Sequence, residues 1–226
     1  MSNSKLISCT LISPNKNSPR NHKIDTITIH CVVGQCSAER IGEIFKPTSR
    51  QASSNYGIGY DGRIGLYVDE ADRSWCSSSA ANDNRAITIE VASDTKHPYA
   101  VNDKAYAALL DLVEDICRRN GIKKLVWSTS KDDRVNHKNG CNMTVHRDYA
   151  NKSCPGDYLY NRHGEIAAEV NRRSQCPSES ACVPAPGNFH MSHHAPKGPV
   201  RYPKNAHLPP DRYPLPQILP QGFESV

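Results

Sequence analysis

The sequence predicts an α/β fold, a mixed central β-sheet flanked by helices, followed by a C-terminal tail without regular structure. Two alternating β-branched runs, 24–29 and 86–91, are interleaved with amphipathic helical patterns, which is the signature of a sheet covered by helices. A hairpin pattern sits inside that order, so the sheet is mixed and not purely parallel. After Arg173 the periodic patterns stop. Residues 175–226 hold eleven of the sixteen prolines and four of the ten histidines. Such a segment has too few aliphatic side chains to offset its ordering entropy, and it is expected to be disordered or extended. The predicted division is a folded domain over 1–174 and a Pro/His-rich tail over 175–226.

Each element follows from a local pattern. Ile24-Asp25-Thr26-Ile27-Thr28-Ile29 reads as a strand that ends on His30. Ser37 caps a short helix with Ile41, Ile44 and Phe45 on one face, ended by Pro47. Residues 55–68 form a hairpin around Asp61-Gly62, where positive φ angles are expected. The run 86–91 is a further strand. After Asn102, apolar residues at Tyr106, Leu109, Leu110, Val113 and Cys117 mark a helix that Gly121 stops. Leu125-Val126-Trp127 and Met143-Thr144-Val145-His146 are short strand candidates. A last helix over about 158–173 turns Ile166 and Val170 inward.

Composition narrows the function. The 226 residues carry a formal charge of +5, spread along the chain. There is no Lys/Arg block of the kind that binds nucleic acid and no apolar run long enough for a membrane span. The mild positive balance suits an anionic polymer. The amino terminus lacks the apolar core and cleavage pattern of a signal peptide, which predicts synthesis in the cytoplasm. Nine cysteines without a repeating framework are then expected to be mostly reduced thiols. Cys9, Cys31 and Cys117 sit in apolar contexts that fit packing, while Cys36, Cys76 and Cys141 lie in polar loops. Cys176 and Cys182 flank a short loop in the tail and are a candidate disulfide pair or two exposed thiols. His190, His193 and His194 there are solvated tail residues.

The chemistry-bearing stretch is 146–156, His-Arg-Asp-Tyr-Ala-Asn-Lys-Ser-Cys-Pro-Gly. His146, Cys154 and the strand-borne His30 make a complete set of three zinc ligands, with a fourth position left for water. A sheet holds His30 rigidly, and a short loop brings His146 and Cys154 back to one ion. Cys154 would bind as the thiolate.

The order of His30, Asn55-Tyr56-Gly57, Ile87-Thr88-Ile89-Glu90, His146-Arg-Asp and Lys152-Ser-Cys154-Pro-Gly resembles the zinc N-acetylmuramoyl-L-alanine amidases. That group includes T7 lysozyme and the peptidoglycan recognition proteins, and the resemblance covers about residues 20–174. The stretch Arg73-Ser74-Trp75-Cys76 and the unbroken Asn-Lys-Ser-Cys-Pro-Gly look most like endolysins of phages from low-GC Gram-positive hosts. The resemblance implies Zn²⁺ as cofactor, peptidoglycan as partner, and cleavage of the amide between N-acetylmuramic acid and L-alanine. It implies action on the wall after release from the cytoplasm, through a holin in a phage setting. It also implies Glu90 as the proton-transferring carboxylate, Tyr56 as a tyrosine over the metal, and Lys152 as a cation for the oxyanion. Asp148 is a candidate to orient His146 or cap its loop. Two departures stand out: Cys76, where many members carry histidine or another polar residue, and a tail that resembles no wall-binding module.

Two other readings are open to the sequence. One is a non-catalytic peptidoglycan-binding protein of the same fold, although such members typically lose the ligand cysteine. The other is a structural zinc completed by His137 or Cys141.

Overall fold

A computed structural model describes residues 2–175. In chain order its elements are β1 (Ile7–Thr10), β2 (Lys16–Asn17), β3 (Thr26–Val33), α1 (Ala38–Phe45), β4 (Tyr56–Ile58), β5 (Ile64–Leu66) and β6 (Arg73–Ser74). They continue with α2 (Ala80–Arg85), β7 (Ala86–Ser93), α3 (Asp103–Asn120), α4 (Lys131–Val135), β8 (Met143–Thr144) and α5 (Gly156–Gln175). Six strands form one sheet in the order β1-β5-β4-β7-β3-β8, and β2 pairs with β6 in a separate ribbon. Only β4 and β5 run antiparallel within the large sheet, so it is mixed, as the embedded hairpin requires. No helix among the described residues is long and apolar enough to cross a membrane.

The alternation Thr-Ile-Thr-Ile builds a sheet with two unlike faces. Ile27 and Ile29 of β3 pair in register with Ile87 and Ile89 of β7, and all four are fully buried. They join one cluster with Leu109, Leu112, Val113 and Ile116 of α3 and Leu159, Ile166 and Val170 of α5. Burial of each such side chain contributes on the order of 1.5–3 kcal/mol. The opposite face carries Thr28, His30, Thr88 and Glu90. Part of it is covered by α1, whose Ile41 and Phe45 pack with Tyr67.

The ends of α1 and α3 are where the sequence placed them, whereas α2 and α4 carry no pattern that predicted them. Ser37 accepts from the Arg40 N–H at the start of α1, and Asn102 accepts from Ala105 at the start of α3. Gly121 closes α3 at φ +70°, a conformation glycine adopts without steric cost. Other details differ from expectation, among them strand β8, which stops at Thr144 so that His146 begins a 3₁₀ turn. Strand β3 runs three residues past His30, because Cys31, Val32 and Val33 continue the ladder with β7. The hairpin turn places only Gly62 at positive φ (+84°), and the Gly59 N–H donates to the Arg63 carbonyl across a three-residue loop. Residues 125–127 form no strand. Their backbone is satisfied instead by the side chains of Asn171 and Asn142: Leu125 N–H donates to Asn171 Oδ1, and Val126 N–H to Asn142 Oδ1, each at 2.8 Å.

Of the seven described cysteines all are free thiols; Cys31, Cys117 and Cys141 are buried, while Cys9 is half-buried. Cys141 lies in the loop before β8, as expected, and its side chain is buried there. The Pro/His-rich tail, its histidines and the Cys176–Cys182 pair lie outside the described residues.

A candidate metal centre on the polar face of the sheet

Register places the first two site residues side by side. His30 of β3 and Glu90 of β7 are direct partners in the parallel ladder, so both side chains leave the same face. His146 starts a 3₁₀ turn directly after β8, and Cys154 ends the loop that leads into α5. That loop folds back on itself: the Arg147 N–H donates to the Cys154 carbonyl at 3.2 Å.

His30, His146 and Cys154 converge. His30 Nδ1 lies 3.3 Å from Cys154 Sγ, and the two imidazole rings are 5.1 Å apart. Their ligand atoms all lie within 4.8 Å of one another. A tetrahedral zinc with ordinary Zn–N and Zn–S bonds holds its ligand atoms about 3.5 Å apart, so this set fits the ion. The protonation states fit as well. Burial pushes His30 well below the usual imidazole range and His146 down to about 4, so both rings are neutral near pH 7. Burial, with the neighbouring Cys31 thiol, pushes Cys154 up; a bound cation would release that proton. His137 and Cys141 do not join any such cluster among the described residues.

Glu90 borders this set. Its Oε1 lies 3.8 Å from Cys76 Sγ, and its Oε2 is shielded from solvent without a hydrogen-bond partner. Burial raises its pKa to about 7, partly opposed by the Arg50 cation and by the hydrogen bond from Cys76. A carboxyl group poised near neutrality can both take and return a proton. Lys152 stands on the same loop as Cys154, and its charge helps to depress His146. It lines an open cavity of about 320 Å³ with His97, Tyr99, Arg147, Ser153 and Asp157.

Tyr56 is not brought to this site. It pairs with Ile89, one position away from Glu90, so strand alternation turns it to the apolar face. Its hydroxyl donates to Glu70 Oε1 at 2.6 Å and accepts from the Ser4 N–H at 2.9 Å, which makes it a core tyrosine. The site-face position of β4 belongs to Gly57. A Cβ there would meet the Tyr67 ring at 2.5 Å, so Tyr67 is the tyrosine on the Glu90 side. Its hydroxyl is held by the Ala38 carbonyl.

Asp148 supports the loop without touching His146. It forms a double ion pair with Arg134, at 2.6 and 2.8 Å, and both side chains are almost fully buried. The Arg134 guanidinium also lies 4.6 Å from the centre of the Trp127 ring. The residue that does touch His146 is Ser78, whose Oγ lies 3.0 Å from Nε2. Such a contact fixes which ring nitrogen faces an ion. Neither Arg134 nor Ser78 carries a sequence signal of its own role. A buried polar network completes the floor. Asn82 bonds Thr28, Thr144 and Ser77, and Asp83 holds the Cys76 and Ser77 N–H groups.

A family model described as N-acetylmuramoyl-L-alanine amidase matches residues 20–157. Solved structures share the fold. The structure of PlyL is 17% identical over 73% of this chain and 96% of its own, with a TM-score of 0.53. A selenomethionine derivative of AmpD is 19% identical over 74% of this chain and 99% of its own, at 0.54. A mutant endolysin from Bacillus subtilis is 16% identical over 73% and 99%, at 0.52. No curated protein sequence matches the chain. With more than half of its length matched, and the matched span running from before His30 to beyond Cys154, the chain belongs to the N-acetylmuramoyl-L-alanine amidase family.

Proposed function

We propose that the chain hydrolyses the amide between N-acetylmuramic acid and L-alanine in peptidoglycan, with one zinc ion held by His30, His146 and Cys154. The convergence of these three donors beside a carboxyl group of raised pKa carries the reading. Zinc bound there would supply Lewis-acid polarisation of the scissile carbonyl and acidify water. Glu90 takes the proton of the attacking water at its unpartnered Oε2 and returns it to the leaving amine. Lys152 places a cation beside His146, where it stabilises oxyanion charge that develops in the tetrahedral intermediate. Ser78 holds the His146 ring, and the Arg134–Asp148 pair holds the turn on which that ring is mounted.

A protein that only binds peptidoglycan would have no use for a thiol donor at Cys154 or for a buried carboxyl with an unpartnered oxygen. The lytic role, as an endolysin released onto the wall or as an autolysin, belongs to the same proposal. Digestion of purified cell walls by the zinc-loaded protein tests it. New free amino termini without new reducing sugars are expected. Reducing sugars without amino termini, or no release at all from walls of several chemotypes, would overturn it.

A further inference from the structure

His30 belongs to a second donor cluster. Its imidazole, the Cys76 thiol and the Glu90 carboxylate each offer a ligand atom within 4.8 Å of the other two. Two polar atoms of this cluster are buried and lack partners, His30 Nε2 and Glu90 Oε2. The Cys154 contact uses the other nitrogen of the ring, Nδ1. The thiol is held in place from behind, because Asp83 Oδ2 accepts the Cys76 N–H at 3.0 Å and also ties down Ser77. Cys76 and Glu90 are half-buried, at the border of the fully buried His30.

We infer that His30, Cys76 and Glu90 form a second site for a thiophilic divalent cation, zinc or cadmium, and that its occupation inhibits the enzyme. This rests on the function proposed above. Nitrogen, sulfur and oxygen donors at this spacing suit such ions and are poor for magnesium or calcium. Binding displaces the Cys76 thiol proton to solvent and, when the His30 ring bridges both ions, the ring N–H proton as well; no electrons move. The consequence is direct. Once its oxygens are ligands, Glu90 no longer accepts the proton of the attacking water. Cys76 is thus a regulatory residue of this chain and no part of the catalytic set.

The test uses the full-length protein carrying one equivalent of zinc, titrated with cadmium chloride. Cadmium per chain, the thiolate-to-cadmium absorption and amide cleavage are followed together. In the wild type, a further equivalent of cadmium is expected to bind with a new thiolate band while cleavage falls in step. Cys76→Ser and Cys76→Ala should keep the first zinc and need at least about tenfold more cadmium for the same inhibition. Glu90→Gln, read by binding alone, should weaken the second equivalent and leave the first. Equal inhibition of the wild type and both Cys76 variants would overturn the inference, as would a wild type whose cleavage is indifferent to cadmium. A first zinc that survives in Cys154→Ser would instead overturn the proposed function, and a second site with it.

Discussion

The two faces of the central sheet are built from alternate residues of the same strands, yet they do opposite work. Ile27, Ile29, Ile87 and Ile89 bury one face against two long helices. Thr28, His30, Thr88 and Glu90, one position along, present a polar floor to loops that bring in Cys76, Ser78, His146 and Cys154. The apolar face holds the fold by area removed from water. The polar face survives burial only because most groups have a partner, and two of the exceptions, His30 Nε2 and Glu90 Oε2, lie at the candidate metal centre. A two-residue period thus separates stability from chemistry within single strands.

Substitutions break or sharpen this contrast. The largest stability loss is expected on the loop side, at the buried Arg134–Asp148 pair. Arg134→Ala leaves an uncompensated buried carboxylate and should cost about 3–5 kcal/mol in urea unfolding, with zinc affinity falling as the His146 turn loosens. A loss below about 1 kcal/mol would show the pair to be solvated. On the apolar face, Ile89→Ala opens a cavity between sheet and helices and should cost about 2–5 kcal/mol. Its kcat, measured well below the melting transition, should stay near that of the wild type. A large kcat defect there would mean the faces are coupled.

Lys152→Ala reverses the pattern. It should lower kcat on the order of 100-fold to 1,000-fold, with KM, zinc content and unfolding midpoint little changed. Lys152→Arg should rescue only in part, because a planar guanidinium places its charge differently. Normal cleavage by Lys152→Ala would make Lys152 a loop residue.

The smallest effect is a pH dependence on the helix side. Burial holds His163 down at about 4, with its Nδ1 donating to the Leu159 carbonyl. The unfolded chain takes up that proton near pH 6.5 and the folded chain does not. Stability therefore falls as pH drops from about 6.5 towards 4, by about 3 kcal/mol at most. His163→Gln should flatten this part of the profile; an unchanged slope would assign it to other groups.

Much of this architecture is legible in the sequence, because periodicity and capping are local. The Asn102 cap, the Gly121 stop and the alternation through His30 all appear where local rules put them. His30, His146 and Cys154 were legible as a candidate ligand set from their residue types and placement, and the structure brings their ligand atoms together. Tyr56 shows the limit. Its motif placed it at the site, but Ile58 two residues on shares its face, and pairing of β4 with β7 sets Tyr56 beside Ile89. The face of a three-residue strand is decided by its partner, which lies 33 residues further along the chain. Arg134 and Ser78 were illegible for the same reason: each acts across a contact whose other half is remote in sequence. Residues 125–127 looked like a strand by composition, but two asparagine side chains took the place of a ladder.

His30, His146 and Cys154 are proposed to hold a catalytic zinc. Zinc per chain, measured beside amide cleavage in the wild type and in Cys154→Ser, tests it most directly. One zinc in the wild type, with zinc and cleavage lost together in a variant that keeps its helical circular dichroism, is the predicted result. A folded Cys154→Ser protein that retains a full equivalent of zinc and cleaves peptidoglycan at the wild-type rate would contradict it.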